Sequence, residues 1–128
     1  WIIQGDYHYE EAFEAAEKYL EHSDNLPTAV FCANDALAAA LIQKANEMGI
    51  RIPEDLSVIG FCNETLSQFT SPALTTVEQN YQEVASKGID VLLDLIDLHR
   101  NNDAISSNLK IEVPVKIIER SSVADLKK

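Results

Sequence analysis

Glycine is scarce in this 128-residue chain: Gly5, Gly49, Gly60 and Gly88 are the whole supply. Neither a G-x-G-x-x-G turn nor a Walker A loop can be assembled from them, so dinucleotide and P-loop readings fail. No G-x-S-x-G nucleophile elbow is present either. Histidine is equally thin, and His8, His22 and His99 are scattered without the spacing of a metal site. Two cysteines, Cys32 and Cys62, each sit in an apolar run, which reads as small core residues in a reducing compartment and not as a disulfide framework. No stretch reaches the roughly 18 apolar residues a membrane span needs. A basic-then-apolar leader is missing from the N-terminus. The opening at Trp1, with no initiator Met, reads as a piece of a longer protein.

Positive charge is the remaining shortage. Ten Lys and Arg face 21 Asp and Glu, a formal net charge of −11. A surface that tracks phosphates needs clustered cations, so any link to nucleic acid has to pass through a part outside this stretch.

What the chain does have is alternation. Apolar positions Ala12, Phe13, Ala16, Tyr19 and Leu20 share one face of a predicted helix over Tyr9–Glu21, with Glu10 and Glu11 at its positive end. Thr28–Ala33 is a continuously apolar strand, as in a sheet covered on both faces. A helix from Asp35 to Met48 follows, with Leu37, Ala40, Leu41, Ala45 and Met48 as its stripe and Gly49 as its stop. Leu56–Phe61 and Leu74–Val77 are further strands, with an irregular stretch over Thr65–Ala73 between them. A long helix over Tyr81–His99 is apolar on two faces, the pattern of a helix packed between two layers. Lys110–Glu119 alternates as a last strand, and Pro114 places it at a sheet edge. A short apolar run, Trp1–Ile3, precedes Gly5. This strand–helix repetition predicts an α/β fold: an open, mostly parallel sheet with helices on both faces.

In such sheets ligands sit outside the carboxyl ends of the strands. Polar or aromatic groups stand at three of those ends, namely Tyr7, the pair Asn34-Asp35 and the pair Cys62-Asn63, and Gln79 follows a fourth strand. Amides that donate and accept, beside a flat ring, suit a small polyhydroxylated or heterocyclic ligand. They supply no general base with a nucleophile. Each residue has a plainer alternative: Asn34 or Asp35 as a helix cap, Tyr7 as packing, Gln79 as a loop hydrogen bond.

The run PTAVFCANDALAAALIQKANEMGIRIPEDLSVIGF, followed by SPALTTVEQ, resembles the C-terminal part of the LacI/GalR family of bacterial transcriptional regulators. WIIQGD and IIERSSVAD resemble its purine-repressor branch, and GDYHYEEAFEAAEKYL is also similar to its catabolite-control branch. The resemblance spans nearly all of residues 1–124 and implies one lobe of a type I periplasmic-binding-protein-like fold. Residues 1–78 would belong to the C-terminal lobe, 79–109 would cross to an N-terminal lobe, and 110–128 would return; the DNA-binding domain lies outside the chain. It further implies a cytoplasmic, non-enzymatic sensor without a cofactor, binding a sugar, nucleobase or phosphorylated metabolite, and a homodimer. Tyr7, Asn34 and Gln79 match family positions that touch the effector. At Cys62 the family pattern has a carboxylate, and a thiol cannot accept the two hydrogen bonds a carboxylate offers a diol; Asn63 would compensate only if its loop shifts. For the dimer contact the expectation falls on Ala36, Ala39 and Ala40 of the second helix with Phe69. The rival from another class is a solute-binding protein feeding a transporter, and an enzyme on the same sheet edge is a third reading.

Overall fold

The computed structural model describes residues 2, 9–21, 26–101 and 110–125. The expected strand over Trp1–Ile3 and the candidate Tyr7 lie outside those residues, apart from Ile2. Chain contacts divide the molecule into two units, Trp1–Glu78 with Lys116–Lys128, and Gln79–Val115.

In the first unit, helix α1 (Tyr9–Glu21) leads to β1 (Ala29–Phe31), α2 (Asp35–Glu47) and β2 (Ser57–Phe61). A single 3-10 turn over Thr65–Gln68 interrupts the predicted irregular stretch, and β3 (Thr75–Gln79) follows. The strand β4 (Val115–Ile118) closes a four-stranded sheet of order β1-β2-β3-β4. β1 pairs with β2, and β2 with β3, in parallel. Lys116 meets Glu78 while the Ser121 amide donates to the Ala73 carbonyl, so the last segment runs antiparallel to β3. β4 is an end strand of the sheet, as Pro114 predicted, although it is shorter than Lys110–Glu119 and starts just after that proline.

One core holds this unit together. Ala16 and Leu20 of α1 meet Ala38, Leu41, Ile42 and Ala45 of α2, over Val58 and Leu74. Spacing of four along α1 (Ala12, Ala16, Leu20) puts its buried residues on one stripe. Small side chains let α1 and α2 approach closely, and Lys44 of α2 reaches across to Glu17 and lies 4.9 Å over the Phe13 ring. α2 buries a wider arc than the predicted stripe: Ala38 and Ile42 are inside, while Met48 is 38 % exposed. Gly49, at φ +75°, stops that helix in the left-handed conformation expected of it.

The second unit contains α3 (Tyr81–Arg100). Asn80 caps it, with Oδ1 accepting from the Glu83 amide (3.1 Å) while Nδ2 donates to the Glu83 carboxylate (3.0 Å). The two apolar faces read from the sequence are both present, but no residue of α3 is buried. The expected packing between two layers is therefore not met among the described residues.

Candidate functional site

The carboxyl ends of β1 and β2 lead into the residues singled out above. Asn34 is the N-cap of α2, its backbone extended (φ −151°, ψ 172°) and its Oδ1 accepting from the Leu37 amide at 2.8 Å. The capping alternative is therefore realised at Asn34. It uses one lone pair of the side-chain oxygen, and the cap makes no demand on the two N–H donors of the amide.

Asp35 does something the sequence reading missed. It is fully buried, its Oδ1 accepting from the Thr76 hydroxyl at 2.5 Å and its Oδ2 from the Glu64 amide at 2.6 Å. A carboxylate taken out of water needs such donors. It is thereby fixed to the first turn of α2, to β3 and to the loop after β2, and is turned away from any solute. Gly60 makes room for it, because a Cβ there would overlap Asp35 Oδ1 and come within 2.8 Å of Leu74. Burial of the Cys32 thiol first, and the nearby Asp35 charge second, push it up to about 12. At pH 7 Cys32 is an inert, protonated core residue.

Beyond Phe61 the chain turns sharply through two consecutive residues of positive φ, Cys62 at +103° and Asn63 at +50°. Asparagine tolerates the left-handed region, whereas a Cβ-bearing cysteine at +103° is strained. The Cys62 amide holds on to β3 by donating to the Val77 carbonyl at 2.8 Å, and its thiol is free and partly exposed. Asn63 is already engaged at both ends: Nδ2 donates to Glu78 Oε1 (2.8 Å) and Oδ1 accepts from Arg120 Nη2 (2.7 Å). Compensation by Asn63 for the carboxylate missing at Cys62 would have to break those bonds. Glu78 is also paired, with Lys116 at 2.7 Å. The Lys116 ammonium first, and Asn63 second, hold its carboxyl below the usual range. Around these strand ends the described carboxylates Asp35 and Glu78 thus both have internal partners, and neither is a ready base.

Phe31 and Phe61, the last residues of β1 and β2, meet edge to face with centroids 6.3 Å apart. Phe31 is 62 % exposed, so the strand ends do carry aromatic surface, from residues the sequence reading had not selected. Gln79 is the last residue of β3 and the first of the second unit. Arg120, Thr76 and Ser122 were also overlooked. Ser122, fully buried, accepts from the Thr75 amide (2.8 Å) and donates to the Val58 carbonyl (2.6 Å). Among the described residues no cluster of three or more His, Cys, Asp or Glu side chains is placed to hold a metal ion.

A groove of about 670 Å³ lies apart from these strand ends, between α2 and the stretch formed by the 3-10 turn and the residues after it. Ala39, Ile42, Gln43 and Asn46 form one wall, Leu66 and Phe69 the other. Its open position makes it a surface suited to contact. Phe69 is 80 % exposed beside it, and Ala36 and Ala39 are half-buried. Ala40 has to be withdrawn from the expected dimer contact, because it is fully buried in the chain's own interior.

A family model described as a periplasmic binding protein-like domain matches residues 2–123. Curated relatives include the HTH-type transcriptional repressor PurR of Serratia proteamaculans, 40% identical over 125 residues, covering 98% of this chain and 35% of the relative. PurR of Photobacterium profundum is 39% identical over 126 residues, covering 98% and 36%. The chain thus spans about a third of the length of these relatives. Among solved structures, the lac repressor dimer bound to operator and the anti-inducer ONPF aligns with a TM-score of 0.78 at 26% identity, over 94% of this chain and 40% of that one. A LacI family regulator from Enterococcus faecium with bound ribose aligns at 0.74 and 28%, over 98% and 44%.

Proposed function

This chain belongs to the periplasmic binding protein-like family, in its LacI/GalR regulator branch, and on that premise we propose that it is part of the effector-sensing core of a cytoplasmic bacterial transcriptional regulator. The observation that carries the reading is the match to repressors along 98% of the chain. The unit boundaries at Glu78 and Lys116 support a division into a C-terminal lobe and a segment that crosses away from it. Operator DNA would be contacted through another part of the protein, in keeping with the charge of −11. Self-association through the groove beside Phe69 fits the exposed ring and the small side chain of Ala39.

The activity is binding without chemistry. An effector at the strand ends biases lobe closure, and hence operator affinity, only by its differential affinity for two arrangements. Asn34 offers its amide N–H groups, and Tyr7 and Gln79 are the further contacts that the family pattern implies. Asp35 is reassigned from contact to support. Cys62 narrows the ligand: it offers a thiol where the family pattern has a carboxylate, and the described Asp35 and Glu78 carboxylates are already occupied.

Calorimetry of the protein against pentoses, hexoses, nucleobases and sugar phosphates tests this, repeated with Cys62→Asp. One class should bind, and the substitution should raise affinity for a diol-bearing sugar by about tenfold, the worth of a charge-assisted hydrogen bond. A folded protein that takes up none of the panel, before or after the substitution, would remove the sensor reading.

A further inference from the structure

The loop between β2 and β3 carries two surfaces at once. Its first residues, Cys62 and Asn63, form the effector rim, and Leu66, Phe69, Thr70 and Ser71 form a wall of the groove. We propose that Arg120 is a positioning residue that couples rim to groove by gripping both halves of this loop with one guanidinium. The inference rests on the proposed function for the meaning of the two surfaces, but not for its geometry.

On the rim side, Arg120 Nη2 donates to Asn63 Oδ1 at 2.7 Å. On the groove side, Nη1 donates to Ser67 Oγ at 3.0 Å and to the Leu74 carbonyl at 2.6 Å. Its own backbone amide is tied to Thr75 Oγ1 at 2.9 Å, so the base of the side chain is fixed as well. Ser67 is fully buried, and its hydroxyl donates to the Glu64 carbonyl at 2.6 Å while its carbonyl accepts from the Leu74 amide at 2.8 Å. Glu64 in turn is held through its amide by Asp35. Asn63, Arg120, Ser67, Glu64 and Asp35 therefore form a continuous hydrogen-bonded chain from the rim to the base of the groove wall. Such a network strengthens as a unit and is costly to half-break. A planar fork of five donors is what the task requires, since a lysine ammonium is a point charge on a flexible stem and cannot hold Asn63 and Ser67 in one rigid geometry. A displacement of Asn63 by a ligand beside Cys62 is then transmitted to Ser67, and from there to Phe69.

Cys62 supplies the means to test this without an effector, because its thiol is partly exposed while Cys32 is buried and inert. Carboxamidomethylation of Cys62 with iodoacetamide perturbs the rim, and hydrogen exchange reads the groove wall at the Ser67 and Phe69 amides. Labelling should speed exchange at those amides by about fivefold in the parent, at the lower end of ordinary site-to-site coupling. It should have no effect in Arg120→Lys, which keeps the cation near Glu78 but loses the fork, and a smaller effect in Ser67→Ala, which removes the bonds to Arg120 and Glu64 but leaves Arg120 on the Leu74 carbonyl. Two results overturn the proposal: a parent whose groove amides ignore the label, or variants that respond as the parent does. The parent measurement decides alone if a variant fails to fold. A protein that binds nothing in the calorimetric panel loses the sensor reading and leaves this measurement intact.

Discussion

α2 and α3 are both amphipathic helices with ample apolar surface, yet they end differently. α2, built largely of alanine, buries Asp35, Ala38, Ala40, Leu41, Ile42 and Ala45. α3 carries bulkier side chains, and Ile89, Leu92 and Leu93 all remain more than half exposed. Periodicity states which face of a helix is apolar; it does not state whether the same chain supplies the surface to cover it. For α2 the sheet and α1 do so. For α3 none of the described residues does, and the chain spans about a third of the length of its relatives.

The contrast can be broken at several points. The largest effect is expected for Gly60→Val beneath the start of α2. The new side chain displaces the Asp35 carboxylate and leaves the Thr76 hydroxyl and the Glu64 amide unpaired. Overpacking and two orphaned donors together should cost about 4 kcal/mol. Urea denaturation would show this as a large fall in midpoint, and an unchanged midpoint would mean Asp35 is not seated as described.

A matched pair of truncations sharpens the comparison. Ile42→Ala empties a core position that is 2 % exposed, and should cost about 3 kcal/mol. Leu92→Ala on α3, at 57 % exposure, should move the same curve by less than about 0.5 kcal/mol. Equal losses would show that α3 is covered after all.

The smallest effect is electrostatic and belongs to the turn after α2. Arg51 holds the Asp55 carboxyl down to about 2 through its guanidinium and its amide. A carboxyl whose folded pKa lies below its ordinary 3.8 contributes stability above that value and loses it as pH falls through about 2. Asp55→Asn should therefore remove a small contribution that is present at pH 7 and fades between about pH 4 and pH 2, flattening the acid limb slightly, and small because the pair is exposed. A shift larger than that of Ile42→Ala would contradict the exposure of this pair.

Much of the architecture was readable from local pattern. α1 occupies the residues its four-residue spacing marks, and α2 starts where an Asn-Asp pair permits a cap. The parallel pairing of β1 with β2 follows from the helix inserted between two apolar runs, whereas β2 and β3 pair in parallel across a connection that holds only a 3-10 turn. The site was less legible, for a physical reason. Asn34 and Asp35 are chemically alike and adjacent, but one helical step turns Asp35 inward over Gly60 and leaves Asn34 half-exposed. Only the absent Cβ at position 60 hinted at it. Arg120 and Ser122 meet partners 45 to 64 residues earlier in the chain; no window of sequence contains both ends of such bonds. The polar pair Thr75-Thr76 between Leu74 and Val77, buried in the structure, was the available signal that something polar had to meet it from inside.

Ser122 also has a consequence in time. Its hydroxyl joins Val58 to Thr75, and its carbonyl accepts from the Val58 amide, so two strands are stitched by a residue made 47 to 64 residues after them. Until that residue is delivered, Val58 and Thr75 must wait with polar backbone groups unclaimed by their final partner. The nascent sheet is then a provisional object, open to chaperones or to a neighbouring polypeptide, and becomes permanent only when that later segment arrives.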